Sequence, residues 1–156
     1  MTTAQRIVDL ATKAGVTITT AESCTGGMVS AALTDIAGSS AVFERGFVTY
    51  SNQAKTDMLG VRAATLEAVG AVSEKVAREM AEGARRSAGA ALAVSITGIA
   101  GPGGSEHKPE GRVCFGLAST QGAFVETIEF GALGRENVRL AARDHALSLL
   151  LSDLER

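Results

Sequence analysis

The chain has 156 residues, with 15 basic against 17 acidic side chains, a net charge of −2 and an aromatic content of 4%. This composition argues against a nucleic-acid-binding protein, which would carry a basic face or a row of stacking aromatic side chains. There is no apolar run long enough to span a membrane, no secretory signal, and too few cysteines for a disulfide framework, so we expect one cytoplasmic domain over residues 1–156.

The predicted elements alternate between strands and helices. A first helix begins at Thr2 or Thr3 and ends at Gly15, because apolar residues recur three and four apart between a capping residue and a glycine. Gln121-Gly122 is typical of a hairpin turn late in the chain. Such an alternation predicts an α/β protein, a single three-layer α/β/α domain with a mixed sheet. Strands are expected over 16–20, 43–51, 90–96, 112–119 and 123–130. Further helices are expected over 28–36, 63–69, 73–88 and 135–154, and one more helix, which carries Lys55, is expected to start after a cap at Asn52.

The loop after the first strand concentrates reactive side chains at the start of a helix. Ser23 is a candidate nucleophile, and the backbone N–H groups of a helix start suit an oxyanion or a phosphate. Ser23 or Thr25 could instead simply cap the helix. Cys24 is an alternative nucleophile, which would work with Lys55 and Glu22. The candidate residues of this loop are Glu22, Ser23, Cys24, Thr25, Gly26 and Gly27.

The segment after the second strand places the only tyrosine, Tyr50, at a strand end and Lys55 in the next helix. A serine–lysine pair is a known arrangement of nucleophile and base, provided that burial lowers the lysine pKa. By spacing alone, Lys55 could equally be one of the solvated lysines of a helix surface.

A glycine-rich loop follows the third strand. It starts at Thr97 and continues through Gly98, Gly101, Gly103 and Gly104. Loops of this kind expose successive N–H groups to a ligand's phosphate, although a flexible connection is the alternative. The pattern matches neither a Walker loop nor the dinucleotide-binding fingerprint.

Two arginines lie four residues apart in the last helix. Arg135 and Arg139 share one helix face near its positive end, where they could clamp an anion or form an ordinary solvated face. The two histidines, His107 and His145, form no metal-binding pattern, and we predict neither a metal nor a cofactor.

Taken together, these loops resemble one known family. The quoted motifs are TAESCTGG at 20–27, IAGSS at 36–40, FERGFVTYSNQAK at 43–55, GAVS at 70–73 and TGIAGP at 97–102. They closely resemble the C-terminal domain of the competence/damage-inducible CinA proteins in its stand-alone form, from about Ala4 to Leu150. This sequence departs from the family pattern at two places. The loop at 101–105 is one glycine shorter than in the family, and Glu110 occupies a position that is often apolar there.

The resemblance implies hydrolysis of the carboxamide of nicotinamide mononucleotide to nicotinate mononucleotide and ammonia. It implies a mechanism with Ser23 as nucleophile and Lys55 as base, supported by Tyr50, Thr97 and an arginine of the last helix. Homodimers are usual in such proteins, in agreement with the hydrophobic content of 46%. The alternatives are hydrolysis of another nucleotide amide or a pyrophosphate, and a non-catalytic nucleotide-binding regulator.

Overall fold

The computed structural model describes residues 1–156 and contains six α-helices, one short 3₁₀ helix and five strands. The helices are α1 (Thr3–Ala14), α2 (Met28–Thr34), α3 (Asn52–Leu59), α4 (Ala63–Val69), α5 (Glu74–Ala88) and α6 (Arg135–Leu154), with the 3₁₀ helix at Ser39–Ala41. The strands are β1 (Ile18–Glu22), β2 (Phe43–Val48), β3 (Leu92–Gly98), β4 (Arg112–Ser119) and β5 (Gly122–Glu129).

The strands form one mixed sheet in the order β2-β1-β3-β4-β5. β1 pairs in parallel with both β2 and β3, whereas β4 runs antiparallel to β3 and β5. The carboxyl ends of β1, β2 and β3 therefore meet at the same edge of the sheet. Ligands of open α/β sheets bind at such an edge.

Helices cover both faces of the sheet, which confirms the predicted three-layer α/β fold. The strand pleat turns Leu92, Val94 and Ile96 of β3 into the larger core, which α1, α2 and α6 share. Ala93 faces the opposite side, where α3 and α5 close a second core. None of the helices is long and apolar enough to cross a lipid bilayer.

Several helix ends are confirmed. Thr2 accepts a hydrogen bond from the backbone of Gln5 and Gln5 reciprocates, which is a capping box at the start of α1. Gly15 ends that helix in the left-handed conformation. The predicted helices at 63–69 and 135–154 match α4 and α6.

Other predicted boundaries are wrong. The cap of α3 is Ser51, whose side chain accepts from the N–H of Ala54 at 3.0 Å, so Asn52 is already helical. β1 begins at Ile18 and extends to Glu22, because the sheet edge is set by pairing with β2 and β3. For the same reason β2 ends at Val48, and β3 begins at Leu92 and includes Gly98. The helix expected over 28–36 ends at Thr34.

Candidate active site

Ser23 is the first residue after β1, at the sheet edge where three strands end. Its N–H donates to the carbonyl of Ile96 at 2.9 Å, which extends the pairing of β1 with β3 by one residue. The side chain is 8% exposed and lines a cleft. Its Oγ accepts a hydrogen bond from Lys55 Nζ at 3.1 Å. The fold therefore holds this hydroxyl in a fixed position against an amine.

Lys55 lies on α3 and is almost fully buried, with 1% of its surface exposed. Its Nζ also donates to the carbonyls of Thr49 at 2.9 Å and Tyr50 at 3.1 Å, both in the connection that leads from β2. Lysine is rarely buried without a carboxylate partner, and no carboxylate bonds to this one. The side chain is not one of the solvated lysines of a helix surface.

The environment of Lys55 favours its neutral form. Burial lowers the pKa of Lys55 below its ordinary value, with Cys24 and Glu106 acting in the opposite direction. A neutral amine has two N–H groups and one lone pair. If the two N–H groups keep the carbonyls of Thr49 and Tyr50, the lone pair is directed at Ser23 Oγ. This arrangement fits a general base that removes the serine proton.

Cys24 lines the same cleft but lacks a base. Burial raises the pKa of its thiol to about 12, and the nearby charge of Arg139 offsets only part of that effect. The reactive form of cysteine is the thiolate, which is scarce at neutral pH when the pKa is this high. Lys55 bonds to the hydroxyl of Ser23 and makes no hydrogen bond with the thiol. Of the two candidate nucleophiles, Ser23 has the activating contact.

Glu22 lies outside the cleft. Its carboxylate is fully buried and accepts from the N–H groups of Gly27, Val29 and Ser30 at 3.2, 2.9 and 2.9 Å. The hydroxyl of Ser30 donates to it as well, at 2.8 Å. A negative charge at a helix start satisfies N–H groups that have no helical partner. Glu22 thereby fixes the loop that carries Ser23.

The backbone around Ser23 offers fewer free donors than expected. Gly26 and Gly27 both have positive φ, which suits glycine, but their N–H groups bond to the carbonyl of Ser23 and the carboxylate of Glu22. The N–H groups of Cys24 and Thr25 donate to no backbone oxygen. Donors for an oxyanion at this loop are therefore restricted to Cys24 and Thr25, and the N–H groups of Gly26 and Gly27 are not available for this role.

The cleft has a volume of about 310 Å³, and the glycine-rich loop forms one wall. The N–H groups of Ala100, Gly101 and Gly104 make no hydrogen bond within the chain, which leaves them available to a ligand. Residues of the α4–α5 connection also line the cleft, and Thr97 Oγ1 donates to the carbonyl of Ala71 in that connection at 2.9 Å. Seventeen residues line the cleft: Ser23, Cys24, Tyr50, Asn52, Lys55, Ala71, Val72, Thr97, Gly98, Ile99, Ala100, Gly101, Pro102, Gly103, Gly104, Ser105 and Arg135.

Residues 1–154 match the CinA C-terminal domain family. The chain belongs to this family. It is 58% identical to the nicotinamide-nucleotide amidohydrolase PncC of Escherichia coli K12, over 87% of this chain and 83% of that protein. The competence/damage-inducible protein CihA of Agrobacterium tumefaciens superposes with a TM-score of 0.94 at 48% identity, covering 99% of this chain and 94% of that one. A competence damage-inducible protein A of Klebsiella pneumoniae gives 0.95 at 37% identity, covering 99% and 96%.

In this CinA-family chain the two candidate arginines have different positions. Arg135 lines the cleft, where its guanidinium donates to the carbonyl of Gly101 at 2.5 Å and to the hydroxyl of Tyr50 at 2.8 Å. Arg139 donates to the carbonyls of Cys24 at 3.0 Å and Thr25 at 3.4 Å, and does not line the cleft. Arg135 can therefore meet an anion in the cleft, whereas Arg139 supports the nucleophile loop from behind.

Some residues of the CinA-family cleft were not singled out from the sequence. Asn52 and Ser105 line it, as do Ala71 and Val72 from the α4–α5 connection. The motif GAVS at 70–73, one of the motifs that carry the family resemblance, was the signal for that connection. Asn52 was predicted only as the cap of its helix, and its place at the cleft follows from the true cap at Ser51, one residue earlier.

Proposed function

We propose that this chain hydrolyses the carboxamide of nicotinamide mononucleotide to nicotinate mononucleotide and ammonia. The observation that carries the proposal is the buried contact of 3.1 Å between Lys55 Nζ and Ser23 Oγ at the cleft. The extensive similarity to PncC of Escherichia coli, a nicotinamide-nucleotide amidohydrolase, gives the substrate class.

In the first half of the reaction, neutral Lys55 takes the proton of Ser23. The Ser23 oxygen attacks the amide carbon, forming a C–O bond and a tetrahedral intermediate with a negatively charged oxygen. Lys55 then gives its proton to the amide nitrogen, the C–N bond breaks, and ammonia leaves. Ser23 is left as an ester of the nicotinoyl group.

In the second half, a water molecule replaces ammonia. Lys55 takes a proton from the water as its oxygen attacks the ester carbon. The bond between that carbon and Ser23 Oγ breaks, and Lys55 returns the proton to the serine. The product forms as the carboxylic acid, which releases its remaining proton to solvent and leaves as the carboxylate, and the free enzyme is regenerated with water as the only co-reactant.

The tetrahedral intermediate needs hydrogen-bond donors. The free N–H groups of Cys24 and Thr25 are the donors nearest to Ser23 in the chain, and we assign the oxyanion to them. One such donor is typically worth about 2.7–4 kcal/mol of transition-state stabilisation. Arg139 keeps this peptide segment in place through the carbonyls of Cys24 and Thr25.

The phosphate of the nucleotide is assigned to the glycine-rich wall. Arg135 supplies the positive charge, and the free N–H groups of Ala100, Gly101 and Gly104 supply donors. Binding energy at the phosphate orients the amide for attack, so nicotinamide itself is expected to be a poor substrate.

Tyr50 and Thr97 have supporting roles in this proposal. Tyr50 accepts from Lys55 through its carbonyl and from Arg135 through its hydroxyl, so it joins the base to the arginine of the cleft; its hydroxyl does not contact Lys55, so we assign it this positioning role in place of the expected proton relay. Thr97 fixes the wall at Ala71.

We also propose a cytoplasmic homodimer, supported by the free cysteines and by exposed apolar side chains such as Val48 and Met58.

The proposal is tested by measuring ammonia release from nicotinamide mononucleotide by purified protein without added metal. We expect ammonia and nicotinate mononucleotide in equal amounts, and much slower release from nicotinamide. Binding of the nucleotide without turnover would contradict the proposal and favour the regulatory alternative. Turnover of a different nucleotide amide or of a pyrophosphate would keep an enzyme but replace the substrate.

Replacing Cys24 by alanine is expected to leave at least about a tenth of the wild-type kcat, because the protonated thiol takes no part in bond making. Cys114→Ala is the matched control, since Cys114 is the other buried thiol, lies within β4 and does not itself line the cleft. Steady-state kinetics of both variants check this prediction. An inactive but folded Cys24→Ala protein, beside an active Cys114→Ala protein, would assign the nucleophile to the thiol.

A further inference from the structure

Glu110 does not line the cleft, but its side chain bonds to the glycine-rich loop that forms one wall of it. Its two carboxylate oxygens accept from two different segments: Oε1 from the N–H of Gly103 at 2.7 Å, and Oε2 from the N–H of Gly134 at 3.0 Å. Gly103 belongs to the cleft wall, and Gly134 is the cap residue of α6. One side chain thus joins the wall to the start of the helix that carries Arg135.

The packing at Gly101 adds a third contact to this arrangement. Gly101 has φ +91°, and a Cβ built on it would lie 2.6 Å from Glu110 Cδ. The backbone of Gly101 therefore lies directly against the carboxyl group. The carbonyl of the same residue accepts from Arg135 at 2.5 Å. The wall is fixed between Glu110 on one side and Arg135 on the other.

We propose that Glu110 is a positioning residue for the anionic end of the substrate, a role that rests on the proposed function. It orders the free N–H groups of Gly101 and Gly104 and sets the distance between them and Arg135. Its carboxylate is held by the N–H groups of Gly103 and Gly134 and is not among the groups that line the cleft, so it makes no direct contact with the anion. Hydrogen bonds to a charged group contribute more than neutral ones, which makes this connection a strong constraint on an exposed loop.

Amide exchange measured by NMR tests the connection without reference to activity. In Glu110→Ala, the amides of Gly103 and Gly134 are expected to exchange at least about tenfold faster than in the wild type. Gly15 serves as the internal control, since its N–H bonds to the carbonyl of Thr12 at the end of α1 and its exchange should stay the same. Unchanged exchange at Gly103 and Gly134 would overturn the proposal.

Anion binding and kinetics test the functional part. With inorganic phosphate as the probe, we expect the Kd to rise about tenfold in Glu110→Ala. KM for nicotinamide mononucleotide should rise by a similar factor, with kcat changed less than about threefold. Glu110→Gln retains one carbonyl acceptor and should fall between wild type and Glu110→Ala. Glu136→Ala is the charge-matched control, because Glu136 is exposed in the first turn of α6, and it should behave like the wild type.

The outcomes separate this proposal from the proposed function. Equal or tighter phosphate binding by Glu110→Ala, or no phosphate binding by the wild type, would overturn the positioning role. A fall in kcat with unchanged KM would also overturn it, since that pattern belongs to general loss of structure around Ser23. Absence of nucleotide turnover by the wild type would refute the proposed function alone, and the exchange and phosphate measurements would still decide the role of Glu110.

Discussion

Ser23→Ala is expected to lower kcat for nicotinamide mononucleotide by about 10⁴-fold or more, because no other side chain at the cleft has an activating base. The neighbouring thiol of Cys24 cannot substitute, since burial raises its pKa to about 12. The fold should persist, because Ser23 is held in the sheet through its backbone N–H and Ile96. The lost hydrogen bond to Lys55 is expected to cost about 1–3 kcal/mol of unfolding free energy.

The matched control for this variant is Ser39→Ala. Ser39 is 9% exposed, close to the 8% of Ser23, but it lies before β2, at the opposite end of that strand from the cleft. Ammonia release, thermal unfolding and calorimetric binding of the nucleotide should be measured for both variants. We expect Ser23→Ala to bind the nucleotide without turning it over and Ser39→Ala to keep wild-type kcat. Comparable activity in the two variants would exclude Ser23 as the nucleophile.

Structure that depends on local signals could be predicted from the sequence. The twenty residues of α6 and the cap at Thr2 and end at Gly15 of α1 could be predicted because periodicity, caps and glycine ends act within a few residues. The three loops of the site were also foreseen, because the carboxyl ends of parallel strands meet at one edge of the sheet.

Features that depend on distant partners could not be predicted in this way. The ends of β1 and β3 are set by pairing between strands that are far apart in sequence. Glu22 was expected at the substrate, but its carboxylate caps α2, and only the three-dimensional path of the loop decides between these roles. Arg135 and Arg139 could not be separated by spacing, since they occupy the same helix face. Contacts with Gly101 and Cys24 distinguish them.

Replacing Lys55 is the second change with a large expected effect. Lys55→Met keeps a long unbranched side chain but removes the amine, and Lys55→Arg keeps a charge that cannot be deprotonated near neutral pH. Both should lower kcat by about 10³-fold or more, because the Ser23 proton then has no acceptor. Lys75→Met, at an exposed lysine of α5, is the control and should retain wild-type kcat. Activity of Lys55→Met within tenfold of the wild type would contradict the proposed base.

The pH dependence gives an independent measure of the same residue. Since burial lowers the pKa of Lys55, the unfolded chain binds one more proton than the folded chain between the lowered value and the ordinary lysine pKa. The free energy of unfolding contributed by Lys55 therefore rises with pH across that interval and is lost as pH falls through it. Wild-type protein should gain stability relative to Lys55→Met as pH increases, as measured by denaturant unfolding at several pH values. In kinetics, wild-type kcat/KM should rise with pH through one ionisation below the ordinary lysine pKa, because only neutral Lys55 accepts the serine proton. If the stability difference were independent of pH, Lys55 would titrate normally, and a different group would have to deprotonate Ser23.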